Sequence, residues 1–153
     1  MSVEYTSEDL VVLSTSSESK DEVIRELGLR FVNSGTVTDL DGYVEAVRER
    51  EEHFPSGIEG GIAIPHAHTE LVTSPGVAVA ISKQGIYFGA DDGPAHLIFL
   101  IAAPLSTDNL HLEILGQLAR HLTQQDFRDQ LLAANSSSAV AALVNGALGD
   151  VTH

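Results

Sequence analysis

Two unbroken apolar runs occupy the middle of the chain, VAVAIS at 77–82 and HLIFLIAA at 96–103. Neither alternates with polar residues, so both read as strands buried on both faces, as in a sheet covered by helices. GIYFG reads as a shorter strand between them, and IAI at 62–64 as a short strand ended by Pro65. The segment HFPSGIEGG reads as a loop by its proline and glycines.

Helical spacing flanks this strand-rich middle. Ser19 with Glu22 three residues later is a capping-box pattern, and Val23, Ile24, Leu27 and Phe31 follow at helical intervals until NSG at 33–35. A second helix spans 39–52, with Leu40, Tyr43, Val44 and Val47 as its apolar stripe. Arg50 continues that stripe, whereas Arg48 falls with Asp41 and Glu45 on the polar face. A charged group on the core side needs a partner or a stem long enough to reach water. The segment STDNLHLEILGQLARHL is a third helix, capped by Ser106, Thr107 or Asp108, with Leu115, Leu118 and Leu122 on one face. Short helices at 124–134 and 137–147 complete the pattern. Helix-rich ends around a strand-rich middle predict a single-domain α/β sandwich with helices on both sides of the sheet.

Composition narrows the class. A chain of 153 residues, 43% hydrophobic, suits one domain with a sizeable core. No apolar run is long enough for a membrane helix, no basic-then-apolar leader opens the chain, and there is no cysteine, so a cytoplasmic location is expected. Acidic residues outnumber basic ones 22 to 8, for a formal net charge of −14. That excess argues against nucleic-acid binding, which needs a cationic surface. It supports solubility, and it also suits a salt-rich cytoplasm, where acidic, lysine-poor surfaces are favoured.

Chemistry concentrates at GGIAIPHAHTE, residues 60–70. His66 follows an apolar strand and a proline, which holds its side chain at the end of the sheet, where open α/β sheets place ligand sites. Gly57, Gly60 and Gly61 upstream permit the close backbone approach that phosphate binding exploits. His111 lies four, seven and eleven residues before Leu115, Leu118 and Leu122, in the first turn of its helix, where free N–H groups favour an anion. His53, His96, His121 and His153 need no special account.

Three chemistries compete. A zinc site would use His66, His68 and a distant third ligand, but H-x-H puts both rings on one face only if the strand continues past Pro65. A hydrolase would need a nucleophile, and no G-x-S-x-G elbow is present. A covalent phosphohistidine would bring about two negative charges, which an arginine and a second histidine could offset through charge-assisted hydrogen bonds.

The stretch REREEHFPSGIEGGIAIPHAH followed by HLEILGQLARHL resembles the IIA domain of the fructose–mannitol class of the phosphoenolpyruvate-dependent sugar phosphotransferase system, over nearly the whole chain (1–153 as one domain). An R-E pair, a T-G-I-G-x-G-I-A-I-P-H run and a later H-L helix carry the likeness. The resemblance implies a mixed β-sheet flanked by helices. It implies His66 as the phosphorylated residue, His111 as the assisting histidine and Arg50 as the group that stabilises the phosphoryl. Ser56, Gly57, Gly60 and Gly61 correspond to the phosphate loop. The donor would be the phosphohistidine of HPr, and the acceptor the cysteine of a IIB domain, which passes the group to a sugar entering through a membrane IIC component. Fructose is the expected sugar. No metal or other cofactor is expected. Ser56 keeps the hydroxyl of the family's threonine. Glu59 replaces a glycine and is expected to point outward, and His68 has a supporting role or none. A regulatory, nitrogen-type IIA protein, whose phosphohistidine controls a partner, is the alternative; a metal-binding module is a minor one.

Overall fold

The computed structural model describes residues 4–149 and 151; His153 lies outside them. A 3-10 turn (Glu8–Leu10) leads into β1 (Val11–Val12), followed by helices α1 (Lys20–Asn33) and α2 (Leu40–His53). Four strands follow: β2 (Gly57–Ile58), β3 (Ile62–Ala63), β4 (His66–Thr69) and the long β5 (Gly76–Ile86). Strand β6 (Ala95–Pro104) and helices α3 (Leu110–Leu122), α4 (Gln125–Ala133) and α5 (Ser137–Ala147) close the chain.

The six strands form one mixed sheet in the order β1-β5-β6-β3-β2, with β4 also on β6. Strands β5 and β6 pair antiparallel, and β3 and β4 both run parallel to β6. The continuous apolar runs are sandwiched as expected. Leu97, Phe99 and Ile101 pack with Ile114, Leu118 and Val144 on the α3–α5 side. Ile98, Leu100 and Ala102 pack with Leu27, Phe31 and Tyr43 on the α1–α2 side. Helix α1 starts on Ser19, whose side chain accepts the Glu22 N–H at 3.2 Å. The Glu22 carboxylate returns to the N–H of Glu18, one residue before the cap.

Several expectations need correction. Pro65 interrupts the strand without ending it: β3 and β4 lie end to end on the same edge of β6, and the Pro65 carbonyl still accepts the Ile101 N–H. A proline removes one donor from a ladder, and the strand resumes beside it. HFPSGIEGG is not all loop, because β2 pairs antiparallel with β3 through a turn in which Gly60 and Gly61 have φ of 99° and 76°. GIYFG is not a separate strand. Gly85 (φ 88°) sits in an irregularity of β5, which runs on to Ile86.

Helix α3 begins at Leu110 with Asn109 at its cap position, not at Ser106, Thr107 or Asp108. Thr107 bonds back to the Pro104 carbonyl through both its N–H and its hydroxyl, a turn that delays the helix. Its most buried face is Leu110, Ile114, Leu118 and Leu122, with Leu115 partly buried beside it.

The stripe of α2 also ends differently. Tyr43, Val47 and Glu51 lie inward at intervals of four, and Arg50 is exposed. The Glu51 carboxylate is 3% exposed and accepts the N–H of Ser56 at 3.2 and 3.3 Å. A buried charge is tolerable with such a partner. The Tyr43 hydroxyl donates to the Ile101 carbonyl at 3.0 Å, at the register of His66 on β6, and so ties α2 to the sheet beside that histidine.

Candidate active site

His66 is the first residue of β4 and is buried. Its Nδ1 lies 3.3 Å from the Ile64 carbonyl. A carbonyl only accepts, so the geometry assigns the ring proton to Nδ1 and leaves the Nε2 lone pair free. Burial lowers the pKa of His66, and the Arg50 guanidinium adds to this, while the Ile64 carbonyl opposes it. The ring is therefore neutral at pH 7, the state in which an imidazole nitrogen is nucleophilic.

His111 comes from the first turn of α3. Its ring centroid is 5.9 Å from that of His66 and 4.4 Å from that of His68, on which it stacks at 23°. Burial, then the neighbouring His68, His66 and Arg50, lowers its pKa to about 4. Its Nδ1 is buried without a hydrogen-bond partner.

Arg50, in the last turn of α2, forms no salt bridge among the described residues; its guanidinium rests over the Phe54 ring, 4.8 Å from the centroid. Arg48, by contrast, is engaged with Asp21 and Glu45. Arg50, His66, His68 and His111 line one cavity of about 460 Å³, with Glu49, His53 and Phe54 at its walls. Ser56 lines an adjoining groove with Arg50 and His66, and its Oγ is also buried without a partner.

The structure thus gathers His66, His111, Arg50 and Ser56, and leaves the three glycines elsewhere. Gly60 and Gly61 form the β2–β3 turn and line a separate cavity of about 470 Å³ with Ser82, Lys83 and His96. Gly57 packs against a neighbouring backbone: an added Cβ would meet the Phe88 carbonyl oxygen at 2.7 Å. These glycines shape the hairpin, and none of them lines the cavity or the groove at His66. Glu59 is exposed in the turn, as expected. Among the described residues no group of three or more His, Cys, Asp or Glu side chains is arranged to hold a metal.

Two placements go beyond the sequence reading. His68, for which a supporting role or none was expected, lies on the same face as His66, because β4 continues past Pro65 and alternation carries it there. Glu51 anchors the Ser56 segment. The spacing Tyr43, Val47, Glu51 was the available signal for it, and H-x-H was the signal for His68.

Fold and site together define an α/β domain that presents a neutral histidine, a second histidine and an unpaired arginine at one edge of a mixed sheet. The chain belongs to the family described as phosphoenolpyruvate-dependent sugar phosphotransferase system, EIIA 2, which matches residues 4–146. It is 41% identical over 133 residues to a fructose-specific EIIA component of Haloferax volcanii, covering 86% of each chain. It is 38% identical over 143 residues to a fructose-specific EIIABC component of Bacillus subtilis, covering 93% of this chain but spanning only 22% of that protein. Among solved structures, nitrogen regulatory protein IIA-Ntr of Neisseria meningitidis superposes with a TM-score of 0.84 at 28% identity, over 92% of this chain and 97% of that one. The mannitol IIA of Escherichia coli, in complex with phosphorylated IIB, gives 0.77 at 27%, over 90% and 95%. Among the described residues no helix is long and apolar enough to cross a membrane.

Proposed function

We propose that this domain carries a phosphoryl group on Nε2 of His66, taking it from the phosphohistidine of HPr and passing it to the cysteine of a IIB domain. The observation that carries this reading is the pairing of a neutral His66, its Nδ1 engaged by Ile64, with an arginine that forms no salt bridge among the described residues. In the first half-reaction the Nε2 lone pair attacks phosphorus. The P–N bond of the donor breaks and its electron pair returns to the donor imidazole. His66 keeps its Nδ1 proton and becomes a phosphoimidazolium, whose positive charge the Ile64 carbonyl stabilises. In the second half-reaction the IIB thiolate attacks phosphorus, and the electron pair of the P–N bond returns to Nε2.

Arg50 leaves the Phe54 face to meet the phosphoryl oxygens. Ser56 Oγ and His111 Nδ1, both lacking partners, supply further hydrogen bonds. Positioning and charge do the work, as in other phosphoryl transfers. The names of the Haloferax and Bacillus relatives favour fructose, and the mannitol IIA–IIB complex supports a IIB domain as partner. A membrane IIC component would follow IIB. The likeness to the nitrogen regulatory protein supports a second reading, in which the same phosphohistidine switches a regulatory partner.

Incubation with enzyme I, HPr, phosphoenolpyruvate and candidate IIB domains, followed by mapping of the phosphohistidine, tests the reading. Label is expected on His66, lost in His66→Ala and passed to IIB. Label on His111 instead would overturn the site assignment. Label on His66 that no IIB domain accepts would favour the regulatory reading.

A further inference from the structure

His111 has to hold its ring beside His66, yet among the described residues that ring makes no hydrogen bond, and its buried Nδ1 is unpartnered. Nothing polar fixes its plane. The contact that does constrain it is a second imidazole. His68 stacks on it at 4.4 Å and 23°, closer and flatter than His66 at 5.9 Å and 35°.

His68 is itself held from two directions. Its backbone is in β4, at the register of Ala103. Its Nε2 bonds the Thr107 carbonyl at 2.5 Å. Since a carbonyl only accepts, the Nε2 of His68 carries the proton and its tautomer is set. Thr107 is braced in turn by two bonds to the Pro104 carbonyl, at the end of β6 and three residues before α3 begins. His68 therefore joins the strand bearing His66 to the turn that launches the helix bearing His111. We propose that His68 is a positioning residue for phosphoryl transfer: its tethered imidazole is the platform that fixes the plane of His111 against the group carried on His66. This rests on the reading of His66 as the phosphoryl acceptor.

His111 is in ring contact with both His66 and His68, and all three line the cavity with Arg50. Glu49, at the cavity wall, is the carboxylate among the lining groups, and His53 completes the titratable set there.

The test measures the rate of labelling by phospho-HPr in the full chain and in His68→Ala, His68→Phe and His68→Gln, together with the ring titration of His111 by NMR. His68→Ala should still reach one phosphoryl per chain on His66, but more slowly, by up to about a hundredfold, the scale of loss for a group misplaced by about 1 Å. The titration midpoint of His111 should move upward, because His68, which disfavours its protonation, is gone. His68→Phe, which keeps the stack and loses the Thr107 tether, should recover part of the rate. His68→Gln, which keeps a donor for Thr107 but no ring, should stay as slow as His68→Ala.

A wild-type rate in His68→Ala overturns the proposal. So does a slow variant whose His111 titration is unmoved, since that marks a merely structural loss, and so does full rescue by His68→Gln. If thermal melting shows His68→Ala unfolded, the Phe and Gln variants decide. Wild-type protein that is never labelled on His66 would sink the carrier reading itself, whereas normal wild-type labelling with indifferent variants removes only the role of His68.

Discussion

Phosphorylation of His66 should reverse the electrostatics felt by His111. In the free domain burial, and then the neighbouring His68, His66 and Arg50, all disfavour its protonation, and its pKa is lowered to about 4. A phosphoryl group adds close to two negative charges, and a ring protonated at Nδ1 offsets one, leaving about one net negative charge. Taking the 5.9 Å between the two rings as the separation, and an effective dielectric of about 20, Coulomb's law gives about 3 kcal/mol in favour of protonated His111. That is about a hundredfold in proton affinity. His111 would then gain a proton far more readily in the loaded state and become a charged donor to the phosphoryl oxygens. The assay is NMR titration of the labelled imidazoles in the free and phosphorylated domain, with Arg50→Ala as a control that removes the competing cation. A midpoint for His111 that stays put or falls on phosphorylation would refute the reasoning, since it would mean that the phosphoryl group does not face this ring.

Other consequences follow from the same geometry. Glu51→Ala should destabilise the fold by about 1–3 kcal/mol, because the partly buried Ser56 N–H loses its acceptor, and Glu51→Gln should cost less; thermal melting separates the two. Gly57→Ala should lower the melting temperature, because its Cβ would stand 2.7 Å from the backbone oxygen of Phe88 and one of the two segments must shift. Acid should destabilise the domain through His111. Its folded pKa of about 4 lies below the ordinary 6.5, so the unfolded chain takes up the proton first, and stability falls as pH drops from about 6.5 to about 4. Solvent screening of this partly buried ring limits the effect to about 1 kcal/mol, and urea melts of His111→Phe against wild type, across that range, should show it missing from the variant. With a net charge of −14, stability should rise with salt, as the screening length shrinks from about 30 Å at 0.01 M to about 3 Å at 1 M; a melting temperature indifferent to salt would remove self-repulsion as a factor.

What was legible in the sequence was what a one-dimensional pattern can carry. The two apolar runs read as strands covered on both faces because alternate residues pack into the clusters on the two sides of the sheet, and α1 was legible from its cap and stripe. Strand β1 was not, since two valines paired parallel to β5 leave no period to detect. The β2–β3 hairpin was hidden by the same glycines that make its turn. Those glycines looked like a phosphate loop because the conformational freedom that suits an anion also suits a reversal of the chain, and composition does not distinguish the two uses. At the end of α2 the three-residue spacing from Val47 pointed to Arg50, whereas the four-residue spacing Tyr43, Val47, Glu51 is the one that stays inward. The core runs out there, at the sheet edge, so the residue that turned inward is the one with a backbone N–H waiting for it.

His68 shows why a site is harder to read than a fold. Sequence placed it two residues from His66 and assumed that Pro65 had ended the strand. A proline forfeits one donor, but the adjacent ladder survives if the partner strand continues, and β6 runs on to Pro104. That single fact carries both rings to one face and sets His68 against a histidine 43 positions later. Arg50, His66 and His111 are each legible alone, on a helix end, after a proline and on a helix start. What sequence cannot supply is the relation among them: how a neutral imidazole, an arginine without a salt bridge among the described residues and two polar atoms without partners come to line one cavity and the groove that adjoins it. Together these unmet groups are a standing cost to the free domain, and an arriving phosphoryl group would relieve it. The same argument predicts that this edge of the sheet, more than any other part of the surface, should gain order when the domain is loaded.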